Sequence, residues 1–249
     1  MIRRNNRLLI TGSEGVIGNV LVKRLNNYDI IRLDIHPIKD NNYYQSDLNN
    51  LTDLISQSKA YLPINCIIHL AADSKVDASW ESVLKNNIIT TRNIFEFAKR
   101  KEINKIIFAS SNHVTGFYEG NPPSLHLQEK YENLISPQME NRPDGYYGVS
   151  KIFGEVLGRY YSDYYDLNVI SLRIGTVLKD DNPLINSRFR STWLSHDDLV
   201  NLIKCSLETN VKYGVYYGVS NNTRNYWDIS NAKKELIFNP KDNAELFFK

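Results

Sequence analysis

Cysteine is nearly absent. Cys66 and Cys205 are the only two in 249 residues, and they stand far apart. That excludes a disulfide framework and every cysteine-based metal spacing. Cys66 opens an apolar run, where a buried thiol is predicted. Long apolar runs are missing as well. The opening Met1-Ile2-Arg3-Arg4 is basic, but the first apolar run after it, Leu8-Leu9-Ile10, soon enters a glycine turn. It is too short for a secretory core or a membrane span, so a soluble cytoplasmic protein is expected. No block of like charges occurs, and 30 Lys+Arg against 28 Asp+Glu leave a formal charge of +2. Such balance argues against a dedicated nucleic-acid binder. No internal repeat and no long linker is evident. The 42% of hydrophobic residues suffices to bury the core of one α/β domain spanning 1–249.

The run Thr11-Gly12-Ser13-Glu14-Gly15-Val16-Ile17-Gly18 follows that short apolar stretch and opens an apolar-periodic one, Val16, Ile17, Val20, Leu21 and Leu25. This reads as strand, tight glycine turn, helix. The glycines permit a positive-φ turn, an approach of backbone to a pyrophosphate and close helix–strand packing, while the helix N-terminus offers free N–H groups. Asp34 ends the next apolar run, Ile30-Ile31-Arg32-Leu33, about 20 residues on, where a ribose hydroxyl needs an acceptor. Gly12, Ser13, Glu14, Gly15, Val16, Ile17, Gly18 and Asp34 are therefore the first candidate dinucleotide contacts. A carboxylate at Asp34 accepts from ribose and repels a 2′-phosphate, so NAD is expected over NADP. Arg32 is read as pointing away from that position.

Strands are predicted at 7–11, 30–34, 66–70, 105–110 and 168–173, with a late one at 215–217. Helical stretches are predicted at 16–26, 51–58, 79–101 and 146–165. Near-continuous apolar strands alternating with helices mean a parallel sheet covered on both faces. The fold class expected is thus α/β, a Rossmann-type doubly wound parallel sheet. Its core is about 1–173, with a small substrate-binding region at about 174–249. Gly12, Asp34, Ala71 and Ser111 fall at strand carboxyl ends, where such sheets bind ligands. Ser195-His196-Asp197-Asp198 reads as a cap before the apolar periodicity of Leu199, Leu202, Ile203 and Leu207. Segment 117–145 is polar, holds four prolines and has no period. It either folds over the site or makes a surface excursion. Segment 176–193 is read as a substrate loop.

Tyr147 and Lys151 share a helix face at i and i+4. An ammonium beside a phenol favours the phenolate, which can take a proton from a substrate hydroxyl while hydride leaves the same carbon. No metal-ligand spacing competes with this reading, and none is expected.

The spacing TGxxGxxG, the pair in Tyr147-Gly148-Val149-Ser150-Lys151, the strand end Ala109-Ser110-Ser111-Asn112-His113 and the segment His69-Leu70-Ala71-Ala72 are all present. Together they resemble the extended short-chain dehydrogenase/reductase superfamily over nearly the whole chain. The resemblance implies Ser111, Tyr147 and Lys151 as catalytic residues. It further implies Asp47, Leu48, Leu70, Ala71, Ala72 and Asn87 at the cofactor, the last holding a water near the active lysine. Ser110 points the other way along its strand. Asn112 and His113 are read as substrate contacts, and His69 as structural. Pairing of two copies through the helices at 79–101 and 146–165 is also implied.

Within that superfamily, Ser111-Asn112-His113 and the stretches 142–151, 190–198, 217–220 and 240–245 resemble uronate dehydrogenase. That family oxidises the anomeric hydroxyl of a hexuronate to a lactone. The resemblance places Ser74, Thr176 and Arg188 at the substrate, with Arg188 gripping its carboxylate. The stretches 80–87, 157–161 and 173–175 resemble archaeal NAD-dependent glucose-6-phosphate dehydrogenases, and Arg190 would then be a second cation for a phosphate. A small acidic sugar is the expected partner in either case. Two further readings compete with these: a nucleotide-sugar epimerase or dehydratase, and an NAD-binding regulator without turnover.

Overall fold

Strand β1 (Arg7–Thr11) is apolar on both faces because it lies in the middle of the sheet, with Leu8, Leu9 and Ile10 all buried. The structure, a computed structural model, describes residues 6–128, 131 and 133–248; the basic opening at 1–4 lies outside them. From β1 the chain passes through helix α1 (Val16–Arg24) to β2 (Asp29–Asp34) and β3 (Tyr43–Gln45). It then returns through α2 (Leu51–Gln57) to β4 (Cys66–His69), on the other side of β1. A long helical passage, α3 (Trp80–Val83), a π-helical turn (Leu84–Ile89) and α4 (Thr90–Arg100), leads to β5 (Lys105–Ser111). Helix α5 (Tyr146–Tyr165) leads to β6 (Asn168–Ile174), and α6 (Phe189–Thr192) and α7 (His196–Glu208) lead to β7 (Tyr213–Gly218).

The sheet order is β3-β2-β1-β4-β5-β6-β7, and every pairing is parallel. This is the expected Rossmann-type α/β fold. The order reverses between β1 and β4, so the carboxyl ends of these strands open onto one crevice. Period-two alternation divides the core. Leu8 and Ile10 pack with Leu21, Leu25 and Ile203 on one face; Leu9, Leu33 and Ile67 pack with Phe95, Phe97 and Tyr161 on the other.

The differences from expectation are local. Strand β3 is short and sits in a polar stretch, so no periodicity announces it. The helix expected at 79–101 is interrupted by the π-turn, inside which Asn87 turns inward. The late strand is longer than 215–217 and belongs to the main sheet, so the region after 174 is not purely a substrate appendage. Ser195 caps α7 as predicted, its Oγ accepting from Asp198 N at 3.0 Å. Cys66 is buried, which pushes its thiol up to about 12. No described helix is long and apolar enough to cross a membrane.

Candidate active site

A cavity of about 720 Å³ runs along the carboxyl ends of β1, β2, β4, β5 and β6. That size lies within the range of about 300–1,000 Å³ typical of small-molecule and cofactor sites. Its first wall is the glycine turn. Gly12 adopts φ +69°, and a Cβ there would stand 2.7 Å from Ala71 N. A Cβ on Gly18 would stand 2.5 Å from Gly12 O. Both glycines are required by the fold itself. Gly15 is different, since the nearest atom to its hypothetical Cβ is 3.4 Å away. The protein leaves that space open, and Gly15, Val16 and Ile17 line the cavity at the N-terminus of α1. No side chain caps this terminus, and its first turn holds no acidic residue. These free N–H groups suit a pyrophosphate.

Asp34 lines the same cavity, held by Glu14 N at 3.0 Å on Oδ2 and His36 N at 3.3 Å on Oδ1. Asp47 and Leu48 also line it. Asp47 Oδ1 accepts from Asn49 N at 3.0 Å and Nδ2 at 2.8 Å, which hold its carboxyl below the usual range. With the apolar Leu70, Ala71 and Ala72 between them, these groups fit a dinucleotide.

Two expectations here are corrected. Ser13 is buried behind the wall, its N–H on Leu33 O, and does not line the cavity. Arg32 does not point away. It stands two residues from Asp34, so strand alternation puts both side chains on one face. Its Nη2 donates to Glu14 Oε1 at 2.6 Å and its Nη1 to Asp40 Oδ2 at 2.5 Å.

The second wall carries Ser111, Tyr147 and Lys151, all three on the cavity. Ser111 ends β5, and Tyr147 and Lys151 occupy successive turns of α5. A buried network fixes α5 on the sheet. Glu155, one turn beyond Lys151, accepts from Ser110 Oγ at 2.5 Å and from Arg173 Nε at 2.9 Å and Nη2 at 2.8 Å. Ser110 thus points away from the reacting face, as expected, although the cavity touches it too. Lys151 Nζ lies 5.5 Å from the Tyr147 ring centroid and 5.1 Å from that of Phe108. Burial pushes its ammonium down to about 7. Burial also raises Tyr147, with the Asp73 carboxylate adding to the rise and the Ser111 hydroxyl opposing it. Each charge alone is disfavoured there, whereas a phenolate–ammonium pair offsets both penalties.

Asn87 is fully engaged behind this wall: its Nδ2 donates to Ser150 Oγ at 2.9 Å and Asp73 O at 3.0 Å, and its Oδ1 accepts from Asp73 N at 2.8 Å. It therefore braces the loop after β4 against α5, rather than lining the cavity. His69 is structural. Its Nδ1 meets Thr11 Oγ1 at 2.7 Å, and burial pushes the ring down to about 3, keeping it neutral.

At the substrate end, Ser74, Asn112, His113 and Thr176 line the cavity. His113 Nδ1 pairs with Asp144 Oδ2 at 2.7 Å, and its ring meets the Tyr147 ring edge-on at 5.9 Å. Thr176 Oγ1 pairs with Thr192 Oγ1 at 2.8 Å. Arg188 stands one layer back. Its Nη2 donates to the Asn112 side-chain oxygen at 2.9 Å, and the Asn112 nitrogen donates to Ile174 O at 3.2 Å. Arg190 is not part of this end. It forms a two-point pair with Glu245 and lies 4.7 Å from the Phe248 ring centroid. No described residue of 117–145 lines the cavity, so that segment is no cover over it. It braces the wall from behind, bringing Glu119 to Arg188 and Asp144 to His113, and Ile135 bridges to Trp227.

The cavity also includes Ile35, His36, Ser46 and Asp73, which no motif in the sequence marks, and Asn86 and Gly175, which lie in stretches of resemblance without an assigned role. Extending every predicted strand end by two residues captures Ile35, His36 and Gly175. Among the described residues no His, Cys, Asp or Glu cluster suits a metal ion.

The NAD dependent epimerase/dehydratase family matches residues 8–178. The chain belongs to this family. Within it, the chain is 34% identical to an NAD-dependent glucose-6-phosphate dehydrogenase of Haloferax volcanii, covering 96% of this chain and 95% of that one. It is 37% identical to a uronate dehydrogenase of Pseudomonas syringae, covering 97% and 84%. A mutant uronate dehydrogenase from Agrobacterium tumefaciens, solved in complex with NAD, superposes with a TM-score of 0.83 at 33% identity, covering 98% and 87%. These family members are oxidoreductases acting on sugars, and the superposition extends through the substrate end as well as the dinucleotide half.

Proposed function

We propose that this protein is an NAD-dependent dehydrogenase that oxidises the C1 hydroxyl of a hexuronate to the lactone. The observation that carries the reading is the meeting of Ser111, Tyr147 and Lys151 on one cavity with the glycine turn and Asp34. NAD, when bound, supplies the acceptor for the C1 hydride. The Tyr147 phenolate takes the proton of the C1 hydroxyl, and the Ser111 hydroxyl donates a hydrogen bond to the same oxygen. Lys151, as ammonium, stabilises the phenolate. The C1 oxygen becomes a carbonyl, and because C1 also bears the ring oxygen the product is a lactone. Glu14, Gly15, Val16, Ile17, Asp34, Asp47, Leu48, Leu70, Ala71 and Ala72 hold the dinucleotide; Ser74, Asn112, His113 and Thr176 hold sugar hydroxyls. Arg188, behind Asn112, supplies the cation for the carboxylate at C6. In this reading about 1–173 serves the cofactor and about 174–249 mainly the substrate, in a cytoplasmic enzyme. Exposed Val149, Val156, Tyr160 and Tyr164 on α5 support pairing of two copies through that helix.

Initial rates of NADH formation test the reading. Glucuronate or galacturonate should be turned over with NAD, ahead of glucose, arabinose and UDP-glucose. Turnover of none of the acidic sugars would sink it.

A further inference from the structure

Arg188 does not meet its ligand as a lone cation. Its Nε donates to Glu119 Oε2 and its Nη2 to Glu119 Oε1, both at 2.8 Å. Glu119 is 2% exposed and also accepts from Tyr226 Oη at 2.6 Å. A carboxylate this buried and this fully hydrogen-bonded belongs to the architecture of the site, since an unpaired one would be strongly disfavoured. Arg190, outside this end, shares Glu245 with Arg224, and Arg142 lies over the rings of Phe117 and Tyr118. Asp144, against His113, contributes a further carboxylate. Paired with Glu119, the Arg188 guanidinium offers directed hydrogen-bond donors while its own charge is balanced.

We propose that Glu119 is a specificity residue, one that makes the substrate end select a monoanionic carboxylate and reject a phosphate dianion. This rests on the C1-oxidation reading and narrows its substrate class. Arg188 stands behind Asn112, so a carboxylate that reaches it past Asn112 forms a short hydrogen-bonded contact and carries one charge toward Glu119. A sugar phosphate at the same place brings a second charge toward the same buried carboxylate. At separations of several ångströms and an effective dielectric of about 20, the effect of the Glu119 carboxylate on that added charge is about tenfold in affinity.

The test compares kcat/KM for glucuronate and for glucose 6-phosphate at saturating NAD, in the wild type and in Glu119→Gln. The wild type should favour glucuronate by at least about tenfold, and the variant should lower that ratio by at least about tenfold, mainly through KM, with the KM for NAD unchanged. Both rates come from one preparation, so partial unfolding cancels in the ratio. An unchanged ratio alongside good uronate turnover overturns the role of Glu119 and leaves the proposed function standing. Absence of any uronate turnover by the wild type overturns that function and this inference with it. Should the variant fail to fold, the wild type still decides: glucose 6-phosphate should inhibit uronate oxidation with a Ki at least about tenfold above the uronate KM, and equal values overturn the proposal.

Discussion

The two ends of the cavity are built differently. At the dinucleotide end, each candidate contact sits within a few residues of a strand terminus, on a turn whose shape is set locally: Gly12 to Ile17 after β1, Asp34 at the end of β2, Leu70 to Ala72 after β4. At the substrate end the groups are held by partners distant in sequence. Arg188 and Glu119 are 69 residues apart, Asp144 and His113 are 31 apart. The first turn of α1, which no side chain caps, keeps N–H groups for a ligand, so this end presents raw binding capacity. Long-range pairs satisfy one another first, so the substrate end presents only the edges left over. Its selectivity is then set as much by the paired carboxylates as by the arginine.

The largest effect separates both ends from the chemistry between them. Tyr147→Phe removes the proton acceptor and keeps the ring, so kcat should fall by about 10²–10⁴-fold while NAD binding, measured by calorimetry, stays near normal. Near-normal turnover would remove Tyr147 from the reaction. Next comes the substrate end. Arg188→Ala removes a charge-assisted contact with a typical value of about 1.5–3 kcal/mol, so kcat/KM for the uronate should fall by about tenfold to a few hundredfold. It also strands Glu119 in a buried site, so a fall in Tm is expected; Arg188→Lys, which keeps the charge but loses the fork, should recover stability ahead of activity.

At the dinucleotide end, the wild type should favour NAD over NADP by well over tenfold in kcat/KM, and Asp34→Ala should narrow that preference by about tenfold. Arg32 shares the face of Asp34 and is held there by Glu14 and Asp40, so the variant leaves a guanidinium close to any 2′-phosphate. Equal use of both cofactors by the wild type would contradict the placement of Asp34. A related effect of at most about tenfold per pH unit follows from the burial that raises Tyr147. A raised phenol is protonated at neutral pH, so the base form gains population as pH rises and kcat/KM should climb from neutral into the alkaline range. Lys151→Met should move that limb further alkaline. A flat profile would break this link. The smallest effect is expected from Arg190→Ala. Its pair with Glu245 is partly exposed and outside the cavity, a setting with a typical value of about 0.2–1 kcal/mol. Activity should stay within about threefold, with a Tm change of a few degrees at most.

The same contrast decides what is legible in the sequence. The glycine turn, Asp34, Ser111 and the Tyr147/Lys151 pair are short-range patterns whose spacing is their geometry, and the structure brings them to one cavity. Arg32 differs from its expected direction by one step of strand alternation, a local error that period two corrects. Asn87 and Ser13 sit in the right segments but face inward, because backbone groups of Asp73 and Leu33 claim them. Glu119 cannot be found by spacing at all. It lies in an aperiodic stretch and acquires its meaning only when the loop after β6 folds back to place Arg188 against it. Strand β3 and the π-turn are invisible for a related reason: three residues carry no period, and a π-turn is stabilised by what its side chains reach.

The most direct measurement is the identity of the product. Carbon NMR of a reaction containing galacturonate, NAD and the protein should show an aldaric acid lactone formed together with one equivalent of NADH. A sugar epimerised at another carbon, with no net NADH, would contradict C1 oxidation and return the chain to the epimerase chemistry of its family.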